Sequence, residues 1–71
     1  MPFCGEYLRA HRRRMGLSQV RLAQLAKSDP FSISKFENSH TVPATATVER
    51  LARALGIRID DLFRADQAAA R

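Results

Sequence analysis

Cysteine occurs once, at Cys4, and tryptophan is absent. A single thiol excludes an internal disulfide framework and a zinc site built on several cysteines. Cys4 is read as a small apolar core side chain, and its solitude suits a reducing cytosol. No apolar run approaches the roughly 20 residues needed to span a membrane, and no signal-peptide pattern is present. Ser/His/Asp groupings, paired carboxylates and a glycine-rich phosphate loop are also missing. The only histidines are His11 and His40, and neither stands at a carboxylate–histidine spacing, so His11 is read as a core-edge residue. No catalytic, cofactor-binding or metal-binding residue is assigned, and an enzyme is not expected.

Positive charge is plentiful. Twelve Lys and Arg against seven Asp and Glu leave a formal charge of +5, and ten of the twelve are Arg. Such a field on one small domain suits a polyanion, and Arg pairs with both phosphate and guanine edges. The plainer reading of the same charge is solubility. Seventy-one residues allow one domain, whose small core depends on efficient helix packing or a partner.

The apolar pattern is helical throughout and the class is all-α. A first helix is expected from about Cys4 to Met15, with Cys4, Leu8, His11, Arg12 and Met15 on one face and Gly16 as its stop. Ser18 caps a second helix, whose buried side is Leu22, Ala23, Leu25 and Ala26. Asp29 and Pro30 open a third, ending near Asn38. A fourth runs from Ala44 or Thr45 to Leu55, with Val48, Leu51, Ala52 and Leu55 inward and Gly56 at its end. Ile57, Ile59, Leu62 and Phe63 bury a fifth, from about Ile59 to Arg64, with Asp60 and Asp61 in its first turn. The domain is placed at 1–65, with 66–71 a frayed tail.

The third helix carries two faces. Ile33 and Phe36 face inward. Pro30, Phe31, Ser34, Lys35 and Asn38 are left outside, and a phenylalanine aimed outward calls for a reason. The segments LRAHRRRMGLSQVRLAQLA, ISKFENS and VERLARALGIRIDDLF resemble the lambda-repressor-like (Cro-type) helix-turn-helix family. The most specific matches are Gly16-Leu17-Ser18-Gln19, Leu22-Ala23, Ile33-Ser34 with Glu37, and Leu51-Ala52 with Leu55-Gly56. The resemblance covers about Cys4 to Phe63. It implies a compact five-helix domain that binds operator DNA, usually as a dimer, with the third helix in the major groove.

On that reading Phe31, Ser34 and Lys35 face base edges. Lys35 can donate to guanine O6 or N7, and Phe31 can pack on a thymine C5-methyl. Otherwise Phe31 covers a core gap or a dimer contact. The resemblance gives Gln19 a backbone phosphate. Ser32 and Asn38 are further phosphate candidates, or else they cap the helix or face water. It also implies a partly buried ion pair between Arg12 and Glu37. Arg9, Arg13, Arg14, Arg21 and Lys27 supply general positive field. Lys27 and Ser39 stand where the family commonly has glycine, and a positive φ there would strain the turns.

The function expected is a sequence-specific DNA-binding transcriptional regulator, a repressor acting as a cytoplasmic homodimer on double-stranded DNA. The candidate dimer surface lies around Ile57, Ile59 and Phe63, although core burial explains these residues equally well. Alternatives are a restriction–modification controller, or an antitoxin or other protein-interaction module that binds DNA secondarily.

Overall fold

The computed structural model describes residues 2–64. The expected frayed tail, 66–71, lies outside the described residues. Four α-helices follow in order, α1 (Gly5–Arg14), α2 (Gln19–Leu25), α3 (Pro30–Glu37) and α4 (Thr45–Leu55), and a 3-10 turn covers Ile59–Leu62. The expected fifth helix is thus a single four-residue turn. Its Asp61 carboxylate accepts from the Arg58 N–H at 3.0 Å, closing the turn locally. Phe63 leaves it in extended conformation and forms an isolated antiparallel bridge with Phe3.

Local chemistry sets the helix starts. The Ser18 hydroxyl accepts from the Arg21 N–H at 3.0 Å at the head of α2. The Asp29 carboxylate accepts from the Ser32 N–H at 2.9 Å at the head of α3, where Pro30 supplies a fixed φ and needs no donor. The ends are more uniform. Each α-helix is followed, one or two positions beyond its last residue, by a residue of positive φ: Gly16 (71°), Lys27 (56°), Ser39 (62°) and Gly56 (69°). The next residue donates back to the helix: Leu17 to Arg12, Ser28 to Ala23, His40 to Lys35 and Ile57 to Ala52, at 2.8–3.1 Å. This is the Schellman arrangement, used four times.

Two of the four positions lack the glycine that the conformation favours. A Cβ there costs about 1–2 kcal/mol, while glycine loses about 0.5–1 kcal/mol of unfolded-state entropy. Ser39→Gly is therefore expected to stabilise the fold by about 0.5–1 kcal/mol. Lys27→Gly should gain slightly less, since it also removes a cation from the negative end of α2. Thermal unfolding of each variant beside the parent checks this, and an unchanged or lower midpoint would contradict it.

The core is built from Leu8, Leu22, Ala23, Ala26, Ile33, Val48, Leu51, Ala52, Leu55 and Leu62. Three apolar residues assigned inward are not. Met15, just past α1, is 54% exposed, Leu25 44% and Ile59 38%. Met15 lies beyond the last helical turn. The short α2 buries only Leu22 and Ala23 within its span, so Leu25 falls outside its stripe. Phe3 packs edge-on against Phe63, with ring centroids 6.1 Å apart. The Cys4 N–H donates to Leu62 O at 2.8 Å and the Arg64 N–H to Pro2 O at 2.9 Å. These bonds fasten the extended segment before α1 to the chain after the 3-10 turn.

Two close approaches position α3 and the end of α2. Gly5 lies so near the end of α3 that an added Cβ would stand 2.2 Å from Phe36 O and 2.7 Å from Glu37 O. From α4, Arg50 Nε donates to Ala26 O at 2.8 Å, satisfying a carbonyl at the end of α2, where cationic charge suits the helix dipole.

Candidate nucleic-acid interface

The inner side of α3 is fixed by Ile33, fully buried, and by Glu37, 2% exposed. A carboxylate in that position requires partners. Arg12 meets it with a two-pronged fork, Nε to Oε2 at 2.6 Å and Nη2 to Oε1 at 3.1 Å. The third guanidinium nitrogen of Arg12 donates to Leu17 O at 2.7 Å, tying the α1–α2 connection into the same cluster. Gln19 Nε2 donates to Glu37 Oε1 at 3.0 Å, and Arg9 Nε lies 3.5 Å from the same oxygen. Glu37 thereby links α1, the head of α2 and the end of α3.

Burial by itself would raise the Glu37 pKa. Hydrogen bonds from Arg12 and Gln19, with the charges of Arg12 and Arg9, hold it below the ordinary glutamate value of 4.5. A carboxyl depressed on folding contributes stability above its unfolded pKa and loses it as pH falls through the folded pKa. Stability should therefore hold from neutrality down to roughly pH 4.5 and decline below it. In Glu37→Gln this acid-side decline should shrink. Urea midpoints measured from pH 7 to pH 3 test both statements.

The outer side of α3 is unlike the inner one. Phe31 is 70% exposed, and Lys35 Nζ sits 4.6 Å from the centre of its ring. One helical turn apart, the two side chains form a cation–π pair. Ser34 lies half-buried nearby, and its hydroxyl accepts from Asn38 Nδ2 at 3.4 Å. Asn38 Oδ1 in turn accepts from Arg9 Nη2 at 2.7 Å. Ser32 Oγ donates to Asp29 Oδ2 at 2.9 Å; with its own N–H also on that carboxylate, Ser32 takes part in the cap of α3. The same two bonds from Ser32 hold the Asp29 pKa below its ordinary value. Gln19 is half-buried at the head of α2. A carboxylate only accepts, so the contact with Glu37 sets which end of the Gln19 amide faces inward and leaves one N–H for another acceptor.

The structure thus brings Phe31, Ser34, Lys35 and Asn38 onto one side of α3 and joins Arg12, Glu37 and Gln19 beneath it. Arg9, expected only as part of the general field, has a fixed place between Glu37 and Asn38 that is not visible in spacing alone. Arg50 and Gly5 were also missed. A glycine at the start of a helix, where it is a poor helix former, was the available hint for Gly5. Cys4 is 5% exposed and His11 half-buried. Among the described residues no cluster of His, Cys, Asp and Glu could hold a metal. No helix among them is long and apolar enough to cross a membrane.

Residues 4–65 match the family model described as a helix-turn-helix domain. The chain belongs to the helix-turn-helix family. Its likeness is to the lambda-repressor type. The P22 c2 repressor, solved in complex with a synthetic operator, superposes with a TM-score of 0.84 at 29% identity, covering 93% of this chain and 100% of that one. The restriction–modification controller protein C.AhdI from Aeromonas hydrophila gives 0.81 at 34% identity, covering 83% of this chain and 89% of that one. Hydroxypropylphosphonic acid epoxidase from S. wedmorenis shares the fold alone, at 24% identity and TM-score 0.77, over 84% of this chain and 32% of that one. Among curated proteins none matches. The helix-turn-helix of this chain is α2 and α3, with Lys27 and Ser28 in the turn, and it is the architecture of DNA-binding transcription regulators.

Proposed function

We propose that this helix-turn-helix protein is a cytoplasmic, sequence-specific transcriptional repressor that binds double-stranded DNA as a homodimer. The domain occupies 1–65. The third helix enters the major groove, with Phe31, Ser34 and Lys35 toward base edges. Gln19, Ser32 and Asn38 approach the backbone, which fixes register without reading sequence. The observation that carries this reading is the exposed Phe31 ring beneath the Lys35 ammonium, on a helix whose opposite side is held by Ile33 and Glu37. An apolar ring and a cation suit a groove that offers thymine methyls beside guanine acceptors. The formal charge of +5 supplies the general attraction to phosphate. In the dimer, two copies of α3 would lie about 34 Å apart on an approximately palindromic site.

A restriction–modification controller is the second reading, favoured by the 34% identity with C.AhdI. It shares the DNA mechanism and differs in the gene controlled.

Phe31→Ala and Lys35→Ala should each weaken a preferred duplex by about 1–3 kcal/mol and affect random duplex less. Gln19→Ala should weaken both kinds alike. Fluorescence anisotropy at one stated salt concentration measures the three. Equal losses on preferred and random DNA for Phe31→Ala would remove its base-reading role.

A further inference from the structure

Resting on the DNA-reading face proposed above, one geometric detail narrows what that face selects. The Lys35 ammonium does not extend freely into solvent but sits 4.6 Å from the centre of the Phe31 ring. Successive bases along one strand are about 3.4 Å apart. A ring and an ammonium this close address neighbouring bases, not bases separated by several steps. Their preferences differ: the ring takes an apolar group on the groove floor, and the ammonium takes the O6 and N7 acceptors of guanine. The ammonium engages the ring, yet Phe31 remains 70% exposed, leaving apolar surface to meet a methyl group.

The only apolar projection that thymine offers in the major groove is its C5-methyl. Methylation of cytosine at C5 places the same group at the same ring position. A phenyl ring donates and accepts no hydrogen bond of its own, so it cannot tell O4 of thymine from the N4 amino group of cytosine. We propose that Phe31 and Lys35 together read a C5-methylated pyrimidine beside a guanine, accepting 5-methylcytosine as they accept thymine, so that binding responds to cytosine methylation.

The test uses the full chain and a duplex preferred in selection from a random pool. At the pyrimidine beside the contacted guanine, four versions are compared by anisotropy: thymine and uracil opposite adenine, and 5-methylcytosine and cytosine opposite guanine. Each comparison changes one methyl group and nothing else. The methylated member of each pair should bind about fourfold more tightly, the equivalent of one buried carbon. Phe31→Ala should erase both differences. Its circular dichroism should match the parent, because the side chain lies outside the core. Lys35→Met should reduce the preference for guanine at the neighbouring position while leaving the methyl effect. A preferred duplex that binds equally with and without the methyl overturns this inference and leaves the DNA-reading face standing. So does a methyl effect for thymine but not for cytosine, or one that survives Phe31→Ala. Failure to select any duplex overturns the DNA-reading face itself, and the methyl reading with it.

Discussion

Arg12→Ala is expected to lower folding stability by about 3 kcal/mol or more, the range found when one partner of a buried ion pair is removed. The Glu37 side chain is 0% exposed and loses its two-pronged partner, while Gln19 and Arg9 still face the same carboxylate. Those two donors place the loss toward the lower end of the 3–5 kcal/mol range. A domain of this size holds only about 4–10 kcal/mol in total, so the effect is large. A second sign distinguishes a lost ion pair from lost packing. Without Arg12, the hydrogen bond and the charge that oppose burial most strongly are gone, so the Glu37 carboxyl titrates higher than in the parent. The stability difference between the two proteins should therefore narrow as pH falls below 4.5, where the parent loses its own contribution. The joint replacement Arg12→Met with Glu37→Leu should cost far less than Arg12→Ala, because no unpaired charge remains. Urea unfolding at pH 7 and pH 4 reads all three, and a cost below about 1 kcal/mol for Arg12→Ala would show the pair to be water-exposed in practice.

Gly5→Ala is the second large effect, and its sign is informative. Helix propensity alone favours alanine by about 1 kcal/mol. Packing opposes it. The new methyl would meet Phe36 O at 2.2 Å and Glu37 O at 2.7 Å, and both are backbone atoms that no rotamer change can move aside. The head of α1 would have to withdraw from the end of α3, pulling on the Arg12–Glu37 fork. A net loss of about 2–3 kcal/mol is expected, or roughly 10–20 °C in melting temperature for a domain of this length. Gly16→Ala is the comparison, since no atom lies within 4 Å of its added Cβ and only the φ of +71° opposes it. It should cost about 0.5–1 kcal/mol, the positive-φ penalty less the unfolded-state entropy that alanine spares. If Gly5→Ala melts at or above the parent temperature, α1 and α3 are not in the contact described.

The helices themselves were legible because their signals are local. Ser18 and Asp29 cap, Gly16 and Gly56 stop, and the α4 stripe of Val48, Leu51, Ala52 and Leu55 repeats at helical spacing and is buried throughout. The last segment misled because Ile57, Ile59, Leu62 and Phe63 look like a helical stripe, whereas only Leu62 is fully buried. The Phe3–Phe63 bridge then takes the chain into extended form. No periodicity announces a pairing across 60 residues. The same limit explains Arg9 and Arg50. A spacing rule places them on a helix face but does not name an acceptor 29 or 24 positions away. The inner and outer sides of α3 were readable for the opposite reason: Ile33, Phe36 and Glu37 on one side, and Phe31, Ser34 and Lys35 on the other, follow from 100° per residue. What the outer row touches is a property of the proposed complex with DNA, to which spacing within one chain gives only chemical compatibility.

Dimethyl sulfate interference on a selected duplex tests most directly whether the outer row of α3 reads the major groove. The reagent methylates guanine N7, an atom that lies in that groove. Premethylated guanines should be depleted from the bound fraction at two clusters about one helical turn apart, with Lys35→Ala losing that depletion at the guanine it contacts. Tight, sequence-selective binding with no N7 interference anywhere would contradict the guanine contact given to Lys35 on α3.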